Sequence, residues 1–109
     1  MPKLSITIAA SLIASAAAYA DSAPAPRSVE CIAAFELMER AAPNWTRQTS
    51  VQVAWQGWET EAVRLTRRTN VDFGTQINRE MTALADRTSS DPNTLSRRAV
   101  QCVADAPAI

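Results

Sequence analysis

The chain has 109 residues, eleven basic and eleven acidic side chains, 47% hydrophobic residues, two cysteines, two glycines and no histidine. Without histidine no Ser/His/Asp or Cys/His catalytic pair can form, no imidazole can ligate haem, and the common zinc sets reduce to thiolates and carboxylates. Two cysteines cannot supply a four-thiolate site, and Gly57 and Gly74 stand too far apart for a phosphate-cradling loop, so no metal, nucleotide or other cofactor is expected.

Residues 1–20 have the pattern of a secretory signal peptide. Lys3 gives a short positive start, and the run from Leu4 to Ala18 is uncharged and rich in small residues. Ala18-Tyr19-Ala20 then forms an A-x-A cleavage pattern before Asp21. Counted to Ala20 the uncharged run is about 17 residues, marginal for a bilayer that needs about 20 mainly apolar ones. Cleavage would leave 89 residues with ten arginines, no lysine and eleven acids, a formal charge of −1. Such a chain is expected in the periplasm or secreted, with no membrane span of its own. A near-neutral balance also argues against nucleic acid as a partner. The exclusive use of arginine suggests a GC-rich bacterial source.

Asp21 to Ser28 reads as a flexible Pro/Ala leader, and residues 29–106 as one helical domain. The first helix is expected from about Val29 to Ala42, with Ser28 as N-cap and Pro43 as stop. Its apolar face is Cys31, Phe35, Met38 and Ala42, with Glu36 and Arg40 opposite. The second runs from about Thr46 to Thr69, unless broken near Ser50. Val51, Ala54, Trp55, Trp58, Ala62 and Leu65 form its stripe, the cleanest in the chain. Gly57 inside it would cost about 1 kcal/mol against Ala and would let another helix approach. The third, about Phe73 to Arg87, has Asp72 as N-cap and Phe73, Ile77, Met81 and Leu84 inward. Asp91 as N-cap and Pro92 as first residue open a fourth, with Leu95, Ala99, Cys102 and Val103 inward.

Cys31 and Cys102 therefore fall on the apolar faces of the first and last helices. The fold class that follows is all-α: a small bundle of about four helices clamped by one disulfide between its ends. In the loop-entropy model such a long closure contributes roughly 4 kcal/mol. The spacing is unlike the C-x-x-C of redox or metal pairs.

Trp45, Trp55 and Trp58 are many tryptophans for so short a chain. They either fill the core or line an aromatic face for a partner helix or an apolar ligand. Arg64, Arg67 and Arg68 are a candidate anion contact, although cations at a helix C-terminus also complement its dipole. Arg97 and Arg98 lie where the dipole does not favour them, and an acidic side chain from another helix would account for both. The Glu36/Glu39 and Glu59/Glu61 pairs lack an identifiable base, nucleophile or oxyanion donor and read as solvated surface. Asn44-Trp45-Thr46 matches a glycosylation sequon, incidental in a bacterial chain. The expected role is non-enzymatic: an exported protein that binds another protein through a helix face. The alternatives are a carrier of a small apolar or amphiphilic ligand, walled by Phe35, Met38, Trp55, Trp58 and Met81, and an acid-stress chaperone.

Overall fold

The computed structural model describes residues 25–69 and 72–108. The signal peptide read at residues 1–20 and the first half of the leader lie outside them. Among the described residues there are five helices and no strand: α1 (Arg27–Ala41), α2 (Pro43–Thr46), α3 (Thr49–Thr69), α4 (Phe73–Ser90) and α5 (Thr94–Ala104). None of the described helices is long and apolar enough to cross a membrane.

α1 begins two residues before the sequence suggests. Pro26, extended at φ −59° and ψ 154°, turns its carbonyl into the helix and accepts from the Val29 and Glu30 amides at 3.0 and 3.2 Å. Ser28 is thus inside the first turn and not its cap. The residue is 1% exposed, and its buried hydroxyl has no hydrogen-bond partner among the described residues. The buried set of α1 is also wider than one stripe, taking in Val29, Ile32, Ala33 and Ala34 beside Cys31, Phe35 and Met38. The reason is position: α3, α4 and α5 all pack on α1. A helix covered from three sides needs apolar residues almost all round, with small ones where neighbours come close.

The expected helix from Thr46 to Thr69 is divided. Pro43, at the first position of α2, supplies a fixed φ suited to a helix start. α2 lasts one turn, and the chain bends at Arg47 and Gln48, slightly before the Ser50 break considered from sequence. The Gln48 carbonyl then accepts from Val51 and Gln52 to start α3. Across the bend, Gln52 Nε2 donates to the Thr46 carbonyl, satisfying a group that the broken ladder leaves open. Val51, Ala54, Trp58 and Ala62 are buried as the stripe requires, while Trp55 and Leu65 pack at its edges, half-buried.

α4 is capped as expected. Asp72 accepts from the Gly74 amide at 3.0 Å through Oδ1 and from the Thr75 hydroxyl at 2.9 Å through Oδ2. It runs to Ser90, three residues past the expected end. α5 starts later than expected. Asp91 does accept from the Asn93 amide at 3.1 Å, and its carbonyl accepts from Thr94 at 3.0 Å. That closes a tight turn through Pro92 and Asn93, so regular helix begins only at Thr94.

The disulfide joins α1 to α5 as the sequence implies. Cys31 and Cys102 are bonded with Cα atoms 5.5 Å apart, and both are fully buried. Two ion pairs cross the same helix pair, Arg98–Glu30 at 3.3 Å and Arg27–Asp105 at 3.0 Å. The core has two parts. One surrounds the disulfide with Phe35, Val51 and Trp58, and the other joins Ala34, Met38, Leu84, Leu95 and Ala99.

Candidate functional site

The three tryptophans have three different settings. Trp58, at the centre of the α3 stripe, is 7% exposed, and its Nε1 donates to the Cys102 carbonyl at 2.8 Å. That carbonyl is among the last four of α5, which have no intrahelical donor, so the indole ties α3 to the disulfide end of the last helix. Trp58 belongs to the interior and not to a binding face. Trp55 and Trp45 are half-buried. Both tilt against the fully buried Phe35, with ring centroids at 5.6 Å for Trp55 and 6.3 Å for Trp45. The Trp55 Nε1 is shielded and has no hydrogen-bond partner.

Trp55 opens on a surface groove of about 430 Å³ between the end of α1 and the first half of α3. Glu39 comes from α1, and Gln52, Val53, Gln56 and Glu59 from α3. Both carboxylates are exposed, and neither has an ion-pair partner among the described residues. Every ionisable group lining the groove is therefore an acid. Val53, 51% exposed, is one of three large apolar side chains left open among the described residues. The groove offers an indole, two carboxylates and two amides, a set that suits a guanidinium or ammonium group lying near an aromatic ring. Among the described residues no three His, Cys, Asp or Glu side chains gather in a way that could hold a metal.

The structure places the three arginines expected to act together around one surface hollow, but they are not equally available. Arg64 is bound to Glu61 on its own helix by both Nε and Nη2. That pairing holds the Glu61 carboxyl below the usual range and raises the Arg64 guanidinium. Arg67 and Arg68 are exposed in the last turn of α3 with no ion pair among the described residues. All three line a second surface hollow of about 630 Å³, but Glu59, Thr60 and Val63 line it too, and Glu59 works against an anion. Arg97 and Arg98 are accounted for by acids. Arg97 pairs with Asp91 at 2.6 Å and Arg98 with Glu30 of α1.

Of the five side chains expected to wall a ligand cavity, Phe35, Met38, Trp58 and Met81 are buried in the packed interior. Trp55 alone among them is partly open. No protein-family model, curated protein or solved structure matches this chain. The site therefore stands on its own geometry. From the sequence Trp55 reads as part of a candidate aromatic face, whereas Glu39 and Glu59 read as solvated surface. They are 20 residues apart in the chain and meet only because α1 and α3 pack together. The one local signal was Val53, an apolar residue on an otherwise polar flank of α3.

Proposed function

We propose that this chain is an exported, disulfide-stapled helical protein that acts without catalysis, by binding a basic segment of another protein in the groove beside Trp55. The observation that carries the reading is the pair of carboxylates, Glu39 and Glu59, without an ion-pair partner among the described residues, lining a groove with a half-open indole. A desolvated arginine or lysine near an aromatic ring and a carboxylate gains both attractions at once. Export is supported by the uncharged run ending in Ala18-Tyr19-Ala20 and by a fully buried disulfide, a bond that persists in oxidising compartments. The periplasm or the outside of the cell fits both features.

The test is a titration of the disulfide-bonded protein with three ten-residue peptides of net charge +3, 0 and −3, followed by the indole N–H resonance of Trp55. The basic peptide is expected to shift that resonance, and E39Q/E59Q to weaken binding by about ten-fold or more, the factor equivalent to about 1.4 kcal/mol. An equal response to all three peptides, or tighter binding of the acidic one, would refute the reading.

A further inference from the structure

The outer side of α3 carries a second pattern that shares only Glu59 with the Trp55 groove. Glu59, Val63 and Arg67 follow one another at steps of four residues, with Val63 51% exposed between two exposed charges. Each step of four advances about 6 Å along a helix and turns about 40° around it. Glu59 and Arg67 thus lie on opposite flanks of Val63, at equal distances before and after it. About 12 Å of axial separation keeps them from pairing with each other. Neither has an ion-pair partner elsewhere among the described residues.

We propose that this row is an interface between two copies of the chain, with their α3 helices antiparallel about a two-fold axis at Val63. A two-fold axis perpendicular to the helix, passing between the two Val63 side chains, exchanges position 63+k with 63−k and leaves each flank on its own side. Glu59 of one copy then lies level with Arg67 of the other across the narrow seam, within reach of an ion pair, Arg67 likewise with Glu59, and the two Val63 side chains meet at the centre. Charges that cannot pair within one molecule pair twice between two, which is the self-complementarity that an isologous contact requires. Thr60 and Thr66 are exchanged by the same axis, and both hydroxyls already donate to their own helix, Thr60 to the Gln56 carbonyl and Thr66 to that of Ala62. They are small side chains with their donors satisfied, so they permit close approach of the two helices. Arg64, held by Glu61, stands outside the row.

A single helix pair gives a contact at the small end of the range for specific interfaces, so the association is concentration-dependent and salt-sensitive. This inference shares Glu59 with the proposed basic-segment site, while Val63 and Arg67 lie outside that groove, so self-association without peptide and the effect of R67E test it separately.

Sedimentation equilibrium of the disulfide-bonded protein from about 10 µM to about 1 mM, at low and high salt, tests it. Dimer is expected to grow with concentration and to weaken with salt. E59R and R67E each place like charges at two contacts and should raise the dissociation constant by about ten-fold or more. The double variant E59R/R67E restores opposite charges at both contacts and should recover the dimer, as should an equimolar mixture of the two single variants. A monomer throughout, or a dimer that ignores the single reversals, would overturn the proposal. So would a double variant as weak as its parents.

Discussion

Trp55 and Trp58 lie three residues apart on one helix and share the same apolar stripe, yet their indole nitrogens have opposite fates. The Trp58 nitrogen donates at 2.8 Å to the Cys102 carbonyl, a group at the end of α5 that otherwise lacks a helical donor. The Trp55 nitrogen, equally shielded, donates to nothing. Replacing either ring by phenylalanine keeps most of the apolar bulk and removes the donor together with the same two ring carbons, so the difference between the two losses isolates the hydrogen bond from the packing. Trp58→Phe leaves a buried carbonyl open and is expected to destabilise by about 1–3 kcal/mol in urea unfolding. Trp55→Phe removes an unpaired polar atom and should change stability by no more than about 0.5 kcal/mol in the same experiment. Equal losses would mean that ring size, not the bond to Cys102, sets the role of Trp58.

At the scale of elements, the start of α1 shows how a local rule can point to the wrong residue. Serine before an apolar run is a good cap, and Ser28 stands where such a cap would be. The helix nevertheless starts at Arg27, because Pro26 supplies the extended backbone and the accepting carbonyl, and packing on three sides draws Ser28 inward. A buried hydroxyl left unpaired is a burden on the folded state. Ser28→Ala removes it and substitutes a better helix former. The melting temperature should rise by about 4–8 °C, the shift that about 1 kcal/mol gives in a domain of this size. A fall of similar size would show that the hydroxyl has a partner after all. The helices themselves were legible because their stripes are long, and the Cys31–Cys102 link because both residues fell on those stripes. The Asp72 cap was legible because its partners, Gly74 and Thr75, are its neighbours in the chain. Less legible was whatever depends on three dimensions. The bend at Arg47 and Gln48 is stabilised by Gln52 reaching back to Thr46, and the groove exists only where Glu39 of α1 comes beside α3. The stripe of α3 placed Trp55 and Trp58 together, but the first is at its edge and the second at its centre, a difference that only the neighbouring helices decide.

Over the whole molecule, the carboxylates are set against acid in a definite direction. Glu61 is held below the usual range by its hydrogen bonds from Arg64, and Asp72 by the Thr75 hydroxyl and the Thr75 and Gly74 amides. Asp91 is lowered first by Arg97 and then by the Asn93 amide, and Asp105 first by Gln101 and then by Arg27. A carboxyl whose folded value lies below its unfolded one stabilises the fold fully above the unfolded value, and that contribution is lost as pH falls through the folded one. The melting temperature is therefore expected to be level from about pH 7 to about pH 5 and to drop below about pH 4, where unfolded carboxyls begin to take up protons. These four groups are unevenly placed. Asp72 and Asp91 hold the start of α4 and the turn into α5, whereas α1 and α5 are also joined covalently through Cys31 and Cys102. Acid should thus loosen the two ends of α4 before it separates α1 from α5. Amide exchange near pH 3 should quicken first around residues 72–76 and 91–95, with the Trp58 indole N–H still protected beside Cys102. Asp91→Asn keeps an acceptor for the Asn93 amide but cannot titrate, so it should flatten part of the acid slope while lowering stability at pH 7 through loss of the Arg97 charge pair. A melting temperature that stays level to pH 2, or exchange that begins at the disulfide end, would show that these carboxylates do not govern the response to acid.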